Sequence, residues 1–261
     1  MVVSADPTAA GLGRANAYVA SLCFDRPMTG EQPVGEELDW RPARRPGRTP
    51  IAGRYVMVRP LDAAGDAASL FAESHPPLGD PGLWTYMTTG PYRDAGELRR
   101  ALALAERSED PLFFTLVPRA GETPAGVAAY LRITPEHGVI EIGNIWFGAS
   151  LRRTTAASET IYLLAAHAFE DLGYRRLEWK CDALNQASRR AAERFGFRFE
   201  GVFRRHMVVK GRNRDTAWFA ITEEEWPAVR TGFRAWLGSE NFDERGRQRR
   251  PLVELIPKAR S

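Results

Sequence analysis

One stretch limits the fold more than any other. An almost wholly apolar run, Val139 to Phe147, is followed by a helical pattern and then by a second apolar run, Leu177 to Cys181. The helical pattern spans Thr155 to Leu172 and puts Ile161, Leu164, Ala165, Ala168, Phe169 and Leu172 on one face. Gly173 follows it, as a C-cap glycine should. A strand, a helix and a strand in this order imply a crossover and one parallel strand pair.

The flanking sequence surrounds that unit with simpler elements. Tyr55 to Arg59 alternates as a strand, and Asp62 to Glu73 has helical spacing through Ala67, Leu70 and Phe71. Asp94 and Glu97 form a capping box for a helix running to about Arg107. Leu112 to Val117, Ala125 to Ile133 and Val139 to Phe147 are strands separated by turns at 119–123 and 135–138, which suggests an antiparallel meander. Downstream, Gln186 to Arg194 is a helix stopped by Gly196. Phe197 to Lys210 and Thr216 to Ile221 are strands joined by a polar Gly-Arg-Asn-Arg turn. Thr222 and Glu225 form a second capping box, opening a helix to about Leu237. The expected fold is α/β (α+β), a mixed and mostly antiparallel sheet of about seven strands flanked by helices.

Residues 1–50 read as an N-terminal extension, a partly ordered strap. Acidic Glu31, Glu36, Glu37 and Asp39 precede basic Arg41, Arg44, Arg45 and Arg48, with Pro42, Pro46 and Pro50 interspersed. Pro-rich charge blocks rarely build a core. The domain proper is expected over 51–238, and 239–261 read as a polar, Arg-rich tail. The mildly apolar run Ala15 to Phe24 lacks a clear small-residue cleavage site and is not taken as a signal peptide. No run approaches the roughly 18 apolar residues of a membrane span. Two cysteines, Cys23 and Cys181, fit a reducing compartment, so a cytoplasmic location is expected. Only three of the 36 basic residues are Lys, an Arg bias that raises the isoelectric point to about 9.0. The basic residues are scattered, so they call for no nucleic-acid partner. The four His and two Cys show no metal-ligand spacing, and no metal is expected.

The chemistry should sit after the first apolar run. Gly148-Ala149-Ser150-Leu151 leads into Arg152-Arg153-Thr154-Thr155-Ala156-Ala157-Ser158-Glu159 at the start of a helix. Backbone N–H groups at a helix N-terminus make an anion site, and small residues there let a pyrophosphate approach the backbone. Two arginines and two hydroxyls add further donors.

Here the sequence resembles the GNAT (Gcn5-related N-acetyltransferase) superfamily. Arg152-x-x-Thr155-x-Ala157 stands in the register of that family's CoA-pyrophosphate loop, and Ala157-Ser158-Glu159 looks like the Ala-Thr-Glu of its RimJ/RimL-like branch. Thr155 replaces the usual glycine, so ordinary helical angles are expected through the loop. Asn185-x-x-Ser188 followed by Gly196-Phe197-x-x-Glu200-Gly201 is similar to the family's second motif. The tyrosine acid of many members is replaced by Ala192. The resemblance runs from about Arg54 to Leu237, supported by Arg59-Pro60-Leu61, Leu83-Trp84-Thr85-Tyr86 and Asp110-Pro111-Leu112-Phe113-Phe114.

That resemblance implies acetyl-CoA as cosubstrate and direct acetyl transfer to an amine in a ternary complex. It implies a sheet whose fourth and fifth strands splay apart, so that pantetheine pairs along Ile145, Trp146 and Phe147. Glu141 is the first candidate for general base, with Glu200 and His206 in reserve; Ser188 and Asn185 would assist, Ser188 at the departing thiolate. Trp84, Tyr86, Tyr130 and Asn144 are candidate acceptor-lining residues, and His75 is read as structural. The leading acceptor is a protein N-terminal α-amine of the ribosomal-protein kind. A small amine or aminoacyl antibiotic, a non-catalytic acyl-CoA-binding module and nucleic-acid binding by Arg245 to Arg250 are the alternatives. A homodimer through the extension is a further expectation.

Overall fold

The computed structural model describes residues 33–257. The chain divides into two units, 1–40 and 41–261. In the first unit the described residues carry no regular secondary structure. The expected strap and dimer contact, and the run Ala15 to Phe24, fall wholly or largely outside the described residues. Everything that follows concerns the second unit.

Its centre is a sheet of eight strands: β1 (Ile51–Ala52), β2 (Val56–Pro60), β3 (Leu112–Pro118), β4 (Gly126–Thr134), β5 (Val139–Phe147), β6 (Arg176–Asp182), β7 (Arg198–Val209) and β8 (Arg212–Thr222). The order across the sheet is β1-β2-β3-β4-β5-β6-β8-β7. Every pairing is antiparallel except β5 with β6. The parallel pair is the one the strand–helix–strand stretch demands. The two-residue β1 supplies the strand beyond the expected seven.

Helices α1 (Ala63–Ser74) and α2 (Ala95–Arg107) cover one face; α3 (Thr155–Ala166), α4 (Gln186–Arg194) and α5 (Trp226–Leu237) belong to the other. The periodicity of α1 delivers Ala63, Ala67 and Leu70 to a cluster with Leu98, Leu102, Trp84, Val127 and Trp146. The alternate residues of the same strands, such as Ala128, Ile140 and Ile142, join Ile161 and Leu164 of α3 in the larger core. The caps follow the sequence. Asp62 accepts from the Ala64 and Gly65 N–H groups, and Asp94 accepts from Glu97 N–H at 2.7 Å.

Three local expectations change. The turn between β7 and β8 is only Lys210-Gly211, both at positive φ (49° and 72°), and Arg212 to Arg214 extend β8. Two left-handed residues give a hairpin turn whose twist matches the strands. Glu225 reaches back to the Thr222 N–H at 2.9 Å, but the helix starts only at Trp226, with proline in its first turn. Residues 239–257, read as a tail, pack back on the domain. Leu252 of a short helix α6 (Leu252–Leu255) is fully buried, and Ile256 lies against Gly232 so closely that a Cβ there would meet it at 2.5 Å. Among the described residues no helix is long and apolar enough to cross a membrane.

Candidate active site

The parallel pair is short. β5 and β6 are in register only at Val139–Arg176, Ile140–Leu177 and Glu141–Glu178. Beyond Glu141 and Glu178 the strands part, although β5 continues to Phe147 and β6 to Asp182. These are the fourth and fifth strands of the sequence reading. The cause lies on β5. Between Gly143 and Trp146 it carries one residue more than the β4 segment opposite, and Asn144 takes a left-handed φ of 48°. A bulge bends and twists its strand, and asparagine tolerates the left-handed region. Asn144, expected to line the acceptor site, is thus a bulge residue at the fork. Past the fork the side of β5 facing β6 has no strand to pair with, which leaves the backbone of Ile145, Trp146 and Phe147 open to an extended arm.

The loop after β5 is held from below. Gly148 N–H donates to Ala125 O at 2.7 Å, Ala149 N–H to Glu73 O at 3.0 Å, and Ser150 N–H to the Glu73 carboxylate at 2.8 Å. Glu73 is buried at the end of α1. Sequence reasoning missed it, because a carboxylate one turn from a helix end carries no pattern of its own. Arg153 then takes a φ of 66°, not the helical angle expected through the loop. The chain reverses there, one step before Thr154 caps α3; Thr155, at the family's glycine position, is already helical. Thr154 Oγ1 accepts the Ala157 N–H at 3.2 Å and donates to Leu151 O at 2.7 Å. With Leu151, Arg152 and Thr154 N–H also bonded within the loop, the N–H groups of Arg153, Thr155 and Ala156 are those left for an outside anion. Arg152 and Arg153 are exposed around them. Three open donors at a helix N-terminus, small side chains and two guanidinium groups fit a pyrophosphate.

Across the fork, Asn185 caps α4, its Oδ1 accepting the Ser188 N–H at 3.0 Å. Ser188 Oγ accepts the Trp179 Nε1–H at 3.0 Å and so keeps its own proton to donate. Cys181 is adjacent, and burial pushes its thiol above its ordinary value. Tyr86, half-buried in the α1–α2 connection, donates from its hydroxyl to Leu184 O at 3.3 Å. Lys210 Nζ, from the β7–β8 turn, donates to Trp84 O at 2.8 Å. The 81–92 segment is therefore tied to both the β6–α4 loop and the hairpin.

Two expected lining residues are corrected. Tyr130 is fully buried on the α3 side, its hydroxyl on Leu164 O at 2.5 Å and its ring edge-on to Phe114. Trp84 is 2% exposed, packs on Trp146 and contributes only its carbonyl to the site. Both are large aromatics whose bodies the core claims first. His75 is structural as read, stacked on Phe71 and accepting the Tyr92 N–H at 3.1 Å.

Glu141 is 3% exposed at the fork. Its Oε2 lies 2.6 Å from Arg132 and 3.0 Å from Lys180; Lys180 also meets Glu178 at 2.5 Å. Arg176 extends the chain of alternating charges, bonding Glu178 at 2.8 Å and Glu200 at 2.7 and 2.6 Å. Burial pushes the Glu141 carboxyl above its ordinary value while Lys180 and Arg132 pull it down. Arg176 holds Glu200 below its ordinary value.

Residues 56–198, over half the chain, match the acetyltransferase (GNAT) domain family. The chain belongs to that family. A GCN5-related N-acetyltransferase from Brucella melitensis is 46% identical with a TM-score of 0.81, over 84% of this chain and 98% of that one. An uncharacterized N-acetyltransferase, YnaD, from Bacillus subtilis (strain 168) is 24% identical over 56% of this chain and 84% of its own length. An acetyl transferase from Salmonella typhimurium that modifies the N-terminal serine of the 50S ribosomal subunit protein L7/L12 shares the fold, at 21% identity and a TM-score of 0.55, over 66% of this chain and 98% of that one. The protein is an acyl-CoA-dependent acetyltransferase. GNAT acetyltransferases use acetyl-CoA, and the fork beside the α3 N-terminus is where this chain's residues fit it.

Proposed function

We propose that the protein moves an acetyl group from acetyl-CoA to the α-amine of a peptide or protein N-terminus by direct attack in a ternary complex. The observation that carries this reading is the fork beyond Glu141 and Glu178. The pantetheine arm pairs with β5 along Ile145 to Phe147, and the pyrophosphate rests on the Arg153, Thr155 and Ala156 N–H groups between Arg152 and Arg153. Asn185 holds Ser188 at the head of α4, and the Ser188 hydroxyl donates to the departing thiolate. Once bound, the thioester supplies an activated acetyl carbon; orientation and proton handling fall to this chain.

The acceptor side favours a chain end. On the face that α1 and α2 cover elsewhere, β7 is exposed, with Phe203 52% exposed beside Trp218. Trp218 Nε1 is buried and without a hydrogen-bond partner. An α-amine, with a pKa near ~8, also needs less deprotonation than a lysine near ~10.4. The L7/L12 serine acetylated by the Salmonella protein is an acceptor of this kind.

The test is thiol release from acetyl-CoA with seryl and alanyl tripeptides, with their N-formylated forms, and with spermidine and puromycin as small amines. Turnover confined to free α-amino peptides supports the reading. Turnover on the small amines alone overturns it.

A further inference from the structure

β7 breaks step with β8 between Phe203 and Met207, where three residues of β7 stand against one of β8. Arg205 sits at a φ of 52°, and its N–H is pinned to Asp215 Oδ1 at 2.7 Å. Bulges of this kind re-aim a side chain. The one re-aimed is His206. Its ring centroid lies 5.9 Å from that of Trp218 and 5.6 Å from that of Phe203. Its Nδ1 is 2.9 Å from Oγ1 of buried Thr216, which also receives Arg214 Nε–H at 3.2 Å. The Trp218 ring carries Lys180 Nζ at 3.8 Å on its face, and Lys180 contacts Glu141 at the fork. His206 thus stands on the open acceptor face, one aromatic ring and one ion pair from the point where β5 and β6 part.

We infer that His206 Nε2 takes up the proton of the acceptor amine, an inference that rests on the amine-acceptor reading above. Its rivals are engaged. Glu141 Oε2 holds two cations and Glu200 is clamped by Arg176. The groups around His206 are Arg132 from β4, Lys180 from β6 with Glu141 behind it, and Arg214 and Thr216 from β8; Arg204 and Arg205 precede it in the chain. Partial desolvation first, then Arg132, Arg214 and Lys180, push its pKa below the ordinary value, which favours the neutral ring. In the tautomer whose Nδ1–H donates to Thr216, the Nε2 lone pair is the one left to take a proton. The amine reacts in its neutral form: Nε2 takes one of its protons as the nitrogen forms the C–N bond to the acetyl carbon. The C–S bond breaks with its electron pair on sulfur, and sulfur leaves as a thiolate that receives the Ser188 hydrogen bond and takes a proton from solvent, to which His206 returns the one it holds.

The experiment follows log(kcat/KM) for acetyl transfer to seryl-alanyl-alanine from about pH 5.5 to 9, in the wild type, His206→Gln and Glu141→Gln. The amine's own ionisation gives a slope of one below ~8 in every protein. In the wild type a second proton is expected to steepen the slope to two below the His206 pKa, read independently from its imidazole proton shifts by NMR. His206→Gln should be slower by about a hundredfold or more and keep a slope of one, with unchanged CoA affinity by titration calorimetry. A His206→Gln protein that keeps the rate and the steeper limb overturns the inference, as does loss of that limb in Glu141→Gln alone. If the wild type leaves the tripeptide untouched, the peptide reading has failed separately. The same comparison is then made on acetyl-CoA hydrolysis, with water as nucleophile, where His206→Gln must again slow the reaction and lose the limb.

Discussion

The Lys180 ammonium lies 3.0 Å from the Glu141 carboxylate and 2.5 Å from that of Glu178, with its side chain only 3% exposed. Removing one partner of such a group leaves buried charge uncompensated, which costs about 3–5 kcal/mol. Lys180→Met should lose stability on that scale in urea at neutral pH. The loss should depend on pH in a defined sense. Burial already raises the Glu141 carboxyl, and without Lys180 it rises further. The folded chain then holds a proton that the unfolded chain gives up, so acid favours the folded state. The deficit of Lys180→Met should shrink as pH falls from neutrality toward the carboxylate range and grow as pH rises through the folded value. A deficit that stays flat across that range would show that Lys180 does not govern the carboxylate.

The second prediction concerns the join between α3 and β2. The Glu159 carboxylate accepts the N–H groups of Arg54, Tyr55 and Val56 at 2.9, 2.6 and 2.9 Å. Gly53 leaves room for it: a Cβ there would stand 2.4 Å from Glu159 Oε2 and 2.8 Å from Leu163 Cδ1. Three N–H groups left unpaired should make Glu159→Leu cost about 3 kcal/mol or more in denaturant midpoint. Gly53→Ala should weaken the same join by displacing the carboxylate. In the Glu159→Leu background it should cost much less, because the two changes share one contact. Additive losses in the double variant would refute the shared cause.

The same carboxylate shows what could be read from the sequence. Glu159 stood in a stretch recognisable by its resemblance, yet its partners lie over 100 positions away and no local pattern points to them. The parallel pair and the helix cap at Asp94 are set by short-range periodicity and capping, and these were legible. The fork was implied only by family likeness, since the bulge at Asn144 follows from how β4 and β5 register. Tyr130 and Trp84 were misplaced because an aromatic looks alike in sequence whether it fills a core or lines a site. The turn at Lys210-Gly211 was misjudged because polar Arg212 to Arg214 resemble a loop until paired with β7.

Arg153 separates conformational strain from ligand affinity. Its φ of 66° is one that L residues other than Asn and Asp rarely take, at a cost of roughly 1–2 kcal/mol. Arg153→Gly should therefore raise the unfolding free energy by about 1 kcal/mol. The same change removes a guanidinium from beside the open N–H groups, so acetyl-CoA should bind about tenfold more weakly, a difference that high salt reduces. Arg153→Lys should restore much of the affinity without the gain in stability. Calorimetric titration beside thermal unfolding reads both effects on one sample. An Arg153→Gly protein with unchanged affinity would remove Arg153 from the cofactor site.

The last prediction concerns the 81–92 segment. Two bonds from different elements hold it: Tyr86 hydroxyl on Leu184 O at 3.3 Å and Lys210 Nζ on Trp84 O at 2.8 Å. Both ties reach the β6 side of the fork, one at the loop before α4 and one at the tip of the hairpin, while Trp84 packs on Trp146 of β5, so the segment links the two sides of the fork. A net hydrogen bond contributes about 0.5–1.5 kcal/mol, and either tie alone should keep the segment seated. Tyr86→Phe and Lys210→Met should each change KM for acetyl-CoA by no more than about threefold. Together they free the segment from the β6 side, and KM should rise by about tenfold or more, beyond the product of the single effects. Burial holds the Lys210 ammonium below its ordinary pKa, so alkaline pH discharges it earlier than a solvated lysine. The Tyr86→Phe variant should consequently lose acetyl-CoA affinity at a lower pH than the wild type. Steady-state kinetics of the four proteins against pH measure this; a double variant no worse than its weaker parent would mean that the segment does not close the fork.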